Sequence, residues 1–168
     1  MQTHTALARL EKLPNLAVAG KPANGLYRLL TFRPLWEEGL ARIRTNKGAV
    51  TPGVDGSTVL NLGQSDIETA IQQLMDGTYR PQPVRRVYIP KANGKLRPLG
   101  IPTALDRLVQ EVVRSILHRI YEPIFYDRSH GFRVGRSCHT ALDYIYSVWS
   151  GVKWFVEVDI KGYLDRAA

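Results

Sequence analysis

Three groups of side chains in this 168-residue sequence have the types and spacing to do chemistry. The first is the stretch Trp154-Phe155-Val156-Glu157-Val158-Asp159-Ile160, which places a carboxylate at the end of an apolar run. Such a carboxylate is costly to bury unless it is paired, hydrogen-bonded or bound to a metal, and its oxygens are hard ligands suited to Mg²⁺. Taken alone, Asp159 reads better as an ordinary strand-end residue or a helix N-cap. The second group is Lys91, Lys95 and Arg97, gathered about an Asn93-Gly94 turn. A mobile ammonium and a planar guanidinium suit phosphate oxygens, although a solvated charged turn has the same composition. The third is Gly131-Phe132-Arg133-Val134-Gly135-Arg136. Its two glycines permit close backbone approach, its arginines suit phosphates, and its aromatic ring can pack or stack on a sugar or base. The spacing is neither that of a Walker A loop nor that of a dinucleotide fingerprint.

These groups need elements to hold them. Leu7, Leu10 and Leu13 share a helical spacing that predicts a short helix over residues 3–12, and Pro14 to Asn24 reads as a linker. Leu26, Leu29, Leu30, Leu35, Trp36, Leu40 and Ile43 continue a helical period that Pro34 interrupts or restarts. Pro52-Gly53 and Asp55-Gly56 are turn signals. Ser65 to Glu68 reads as a capping box before a helix carrying Ile67, Ile71, Leu74 and Met75, which should end at Gly77. The period then changes to that of a strand from Val84 to Pro90, and Asn93-Gly94 returns the chain as a second strand over Leu96 to Ile101. Thr103 caps a long helix whose wide apolar face, from Leu105 to Ile120, predicts a central position. Ser137 caps a further helix, and Lys153 to Ile160 reads as a buried strand. Helices with a hairpin and a late strand make the class α+β.

The bulk properties agree with this reading. A hydrophobic share of 44% suits one globular domain, and a formal net charge of +8 favours polyanionic partners. The single cysteine, Cys138, excludes an internal disulfide framework. No stretch approaches a membrane span and the N-terminus lacks the apolar core of a signal peptide, so a cytoplasmic protein with no membrane partner is expected.

The order NKGAVTPGVDG, then GTYRPQPVRRVYIPKANGKLRPLGIPTALDRLVQ, then FYDRSHGFRVGRSCHTAL, then VEVDIKGYLD closely resembles a group II intron reverse transcriptase (maturase), from about Leu26 to Leu164. The resemblance implies an N-terminal helix and linker over residues 1–25, an N-terminal extension plus mostly helical fingers over 26–150, and the start of a palm, with its first strand, over 151–168. It implies RNA-directed DNA polymerisation with Mg²⁺, and binding of intron RNA, template RNA, a DNA primer and dNTP. By the same resemblance Lys91 and Arg97 match the pair that touches the incoming triphosphate. Gly131, Phe132, Arg133, Gly135 and Arg136 match the block lining the template path. Asp159 matches the first metal-binding catalytic aspartate, with the Ile160 carbonyl as a ligand beside it. The family's downstream Tyr-Ala-Asp-Asp motif is not among the 168 residues, so the sequence reads as a piece cut just after Asp159 that is inactive by itself. Leu164 stands where the family has the aromatic sugar gate. The alternative expectation is a catalytically inactive fragment that binds RNA, or one that forms a homodimer through the edge of the palm strand. The setting implied is a bacterial or organellar ribonucleoprotein.

Overall fold

The computed structural model describes residues 3–158 and residue 160. Five α-helices and one hairpin make up the described chain: α1 (Thr3–Val18), α2 (Arg33–Arg44), α3 (Gln64–Met75), β1 (Arg85–Pro90), β2 (Leu96–Ile101), α4 (Ala104–Tyr121) and α5 (Cys138–Val148), with short 3₁₀ turns at Leu26–Thr31, Lys47–Val50, Val59–Asn61 and Glu122–Ile124. The α+β class holds.

Helix α4 is the axis. Thr103 caps it by accepting from the Asp106 amide at 3.2 Å, and Leu108, Val112 and Ile116 form its buried stripe. Helices α1, α2 and α3 all pack on it. Gly39 lets α2 approach closely: a Cβ there would lie 3.4 Å from Glu111 Cγ and 3.6 Å from Leu108 Cδ1. Trp36 is wholly buried and donates its indole N–H to the Leu30 carbonyl at 2.8 Å, so its polar edge is satisfied within the core.

Two boundaries differ from the sequence expectation. Helix α1 runs through Pro14 to Val18, so the linker begins later than the Pro and Gly residues suggest. Ala6, Leu10 and Leu13 are all buried, and their packing sustains the helix beyond the position where proline removes one hydrogen bond. Helix α3 starts at Gln64, and its N-terminal bond is the reverse of the expected one: Asp66 Oδ2 accepts from the Gly63 amide at 2.7 Å, with Ser65 already inside the helix. The helix ends where expected, with Gly77 at a φ of 74°.

The last segment departs furthest. The sequence predicts a buried strand from Lys153 to Ile160. Residues 152–158 form no ladder in the structure, and Trp154, Val156 and Val158 are 89%, 88% and 84% exposed. A strand is stabilised by neighbours, and the only ladder among the described residues is that of β1 with β2. Helix α5 likewise has no buried residue.

Candidate nucleotide and nucleic-acid interface

The hairpin is held at its base by a buried carboxylate. Asp106, 5% exposed, accepts from the Tyr79 hydroxyl, from the Gln82 amide at 3.1 Å and from the Thr103 hydroxyl at 2.7 Å. It thereby ties the strand-entry segment to the first turn of α4, where a carboxylate is also favoured by the helix dipole. Burial, together with the hydrogen bond to Asp106 and its charge, pushes the Tyr79 phenol well above its usual range, so Tyr79 is a fixed donor at neutral pH.

The Asn46–Gly56 segment docks against the same place. Arg107 donates to the carbonyls of Gly48 at 2.9 Å and Thr51 at 2.7 Å, and Arg85 donates to that of Pro52 at 3.0 Å. Gly53 sits so close that a Cβ would lie 2.6 Å from Thr103 Cα, which only glycine tolerates. The NKGAVTPGVDG stretch therefore forms a buttress under the hairpin.

Beyond this base the hairpin is exposed. β1 and β2 are antiparallel with Val87 opposite Leu99, Ile89 opposite Arg97 and Tyr88 opposite Pro98. Lys91 donates its amide to the Lys95 carbonyl at 2.7 Å, Gly94 has a φ of 76°, and Asn93 Oδ1 accepts from the Lys95 amide at 3.2 Å. This turn brings Lys91, Lys95 and Arg97 to one end of the hairpin. All three are exposed, and none has a side-chain partner among the described residues. From Gly77 to Leu105 the sequence holds Arg80, Arg85, Arg86, Lys91, Lys95 and Arg97 with no Asp or Glu, so no local acid competes with an incoming anion.

The second basic group is held at the opposite end of α4, whose 18 residues span about 27 Å. Arg133 does not face outward. Its guanidinium is bonded to Glu122 Oε1 at 3.0 Å and to the carbonyls of Tyr126 and Ser129, each at 3.1 Å, with its side chain 10% exposed and lying over the Phe125 ring. It folds the loop and is not available to a phosphate. The neighbouring residues are displayed instead. Phe132 is fully exposed and has a φ of 57°, a conformation that costs an aromatic residue about 1–3 kcal/mol. Gly135 has a φ of 70°, Gly131 has open space where a Cβ would stand, and Arg136 is exposed with no side-chain partner among the described residues.

No group of three His, Cys, Asp or Glu side chains that could hold a metal occurs among the described residues. Asp159 and Leu164, the expected first metal ligand and sugar gate, lie outside those residues; Ile160 is described and exposed. The described residues thus do not by themselves compose a magnesium site. No helix among them is long and apolar enough to cross a membrane.

A model of the family "Reverse transcriptase (RNA-dependent DNA polymerase)" matches residues 89–167. The group II intron-encoded protein LtrA of Lactococcus lactis is 52% identical over 142 residues, covering 84% of this chain and 24% of its own length. The chain belongs to the group II intron-encoded reverse transcriptases. Protein YkfC of Escherichia coli is 42% identical over 149 residues, 83% of this chain and 39% of that protein. An uncharacterised 91 kDa protein in the cob intron of Schizosaccharomyces pombe is 38% identical over 158 residues, 94% of this chain and 19% of that protein. The chain thus spans about a quarter of the length of LtrA, and the proteins it resembles include bacterial and mitochondrial ones. Magnesium use is a property of this family.

Sequence reasoning missed the parts that hold the site in place. Asp106, Tyr79, Arg107 and Glu122 carry it, yet each looks unremarkable in sequence. Only Asp106 left a signal, as an acid three residues after the Thr103 cap.

Proposed function

We propose that this chain forms the gripping part of an RNA-directed DNA polymerase. In this reading Lys91 and Arg97 hold the triphosphate of an incoming dNTP, while Gly131, Phe132, Gly135 and Arg136 line the path of the RNA template. Arg133 serves that path indirectly by shaping the loop. The observation that carries the reading is the acid-free hairpin, whose turn presents three cations from a base that Asp106 and Arg107 make rigid.

The chain's own residues bind and orient. Arg97 offers a planar pair of donors to phosphate oxygens, and Lys91 a point charge that can follow them. Magnesium, when bound, neutralises triphosphate charge and activates the primer hydroxyl. Asp159 is proposed as one of its ligands, with the Ile160 carbonyl beside it, and Leu164 occupies the sugar-gate position. Intron RNA and a DNA primer are the further partners implied.

Photo-crosslinking of a reactive dNTP analogue to the chain, alongside equilibrium RNA binding, tests this assignment. Arg97→Ala should lower nucleotide labelling several-fold and leave binding of structured intron RNA nearly intact. Loss of RNA binding with unchanged nucleotide labelling would make Arg97 a template contact.

A second reading rests on Trp154, Phe155, Val156 and Val158, an apolar row that no described residue covers. Such a row is an open edge for a second copy, which would make the chain a dimerising RNA-binding module without polymerase activity. Sedimentation over a concentration series decides: a chain that remains monomeric at high concentration removes this reading.

A further inference from the structure

The hairpin has two faces, and only one belongs to the nucleotide assignment above. Paired residues share a face and successive residues alternate. The register therefore puts Arg97 with Ile89, Val87 and Leu99 on one side. On the other stand Arg86 and Tyr88 of β1, with Pro98 directly opposite Tyr88 and Leu96 beside it on β2.

This second face has the chemistry of a stacking platform. Tyr88 is 58% exposed and its hydroxyl makes no hydrogen bond among the described residues. Leu96 is equally exposed, and Pro98 offers a low apolar surface across the strand pair. At the base of the face Val84 covers Gly100, with a Cβ on that glycine only 2.9 Å from Val84 Cγ2. Arg86 lies two residues from Tyr88 on the same face, exposed and without a side-chain partner among the described residues. An exposed aromatic beside an unpaired guanidinium, in a stretch free of acids, suits a base resting on the ring and its phosphate on the cation. A duplex, whose bases are stacked inside, presents no ring to Tyr88.

We infer that the Arg86–Tyr88 face of the hairpin binds single-stranded RNA, with Tyr88 stacking a base and Arg86 contacting the adjacent phosphate, on the side turned away from Arg97. The inference rests on the reading of the chain as a nucleic-acid-binding reverse transcriptase piece. It adds a second strand contact to a hairpin otherwise assigned to nucleotide.

The test is fluorescence anisotropy of the full chain with labelled oligoadenylate, with the same backbone lacking its bases, and with an RNA duplex. Tyr88→Ala should weaken oligoadenylate binding roughly five- to 150-fold, the range expected for one lost base stack. Tyr88→Trp should restore it, and the abasic oligomer should bind the wild-type chain about as weakly as oligoadenylate binds Tyr88→Ala. Arg86→Ala should lower the salt slope by roughly 0.7, one phosphate of a single strand. Because Tyr88 is exposed, circular dichroism should show all variants folded. Equal affinity of wild type and Tyr88→Ala for oligoadenylate, or equal affinity of the wild type for abasic and adenylate oligomers, would overturn the stacking assignment. If Arg97→Ala still lowers nucleotide labelling in that case, the proposed function survives and only this face is excluded.

Discussion

The helical body and the segment after it use similar residues to opposite effect. Leu29, Trp36, Leu108 and Val112 in the body are wholly buried, whereas Trp154, Phe155, Val156 and Val158 near the far end are almost fully exposed. Composition does not separate the two sets. Neighbours do: α1, α2 and α3 converge on α4, while α5 and residues 152–158 meet no comparable surface among the described residues. Apolar sequence is therefore a demand for a partner rather than a guarantee of burial. The hairpin lies between these extremes, with a satisfied base and an open tip.

Replacing two of the three tryptophans, Trp36 and Trp154, should give the largest contrast. Trp36→Ala should cost about 3–5 kcal/mol through cavity formation, while Trp154→Ala should stay within about 0.5 kcal/mol of wild type. Urea unfolding measures both, and similar losses would remove the distinction between the regions.

Asp106→Ala comes next. It leaves the Tyr79 hydroxyl, the Gln82 amide and the Thr103 hydroxyl without their acceptor, at about 1–3 kcal/mol for each group that stays buried. Hydrogen exchange should accelerate in β1 and β2 before it does in α2. Uniform acceleration would mean that the carboxylate stabilises the body and not the hairpin base.

The two arginines of the loop differ in the same way at smaller scale. Arg133→Ala should destabilise the loop by about 1–3 kcal/mol, since it removes several bonds around Glu122. Arg136→Ala should leave stability unchanged and lower the salt slope of RNA binding by roughly one. The sequence pattern had treated the two as equivalent phosphate contacts; the structure gives them different work.

The smallest effect is a pH dependence. Burial raises the Glu111 carboxyl, but hydrogen bonds from Arg114 and Arg42 outweigh it and leave the group below its ordinary value. A depressed folded-state pKa contributes stability that is present above the unfolded value and lost as pH falls through the folded one. Acid unfolding monitored by circular dichroism should therefore flatten in Glu111→Gln, which lowers stability at neutral pH and changes little at acidic pH. An unaltered pH profile would place the acid sensitivity elsewhere.

Much of this was legible in the sequence, for local reasons. The Asn93-Gly94 turn, the Thr103 and Ser137 caps and the Gly77 stop are set by a few adjacent residues, and each stands where expected. What sequence could not reveal depended on distant partners. Pro14 lies inside α1 because α4 supports it, and Arg133 turns inward because Glu122 is within reach. The stretch from Lys153 to Val158 has strand-like residues but no ladder, since no adjacent strand among the described residues supplies one.

On the proposed reading, the acid-free hairpin presents its cations to an incoming triphosphate from a base that Asp106 holds in place. Photo-crosslinking of a reactive dNTP analogue to the wild-type chain and to a Lys91→Ala/Lys95→Ala/Arg97→Ala variant tests this most directly. The expected result is strong labelling of the wild type and several-fold weaker labelling of the variant. Equal labelling of the two proteins would contradict this reading and move the nucleotide surface off the hairpin.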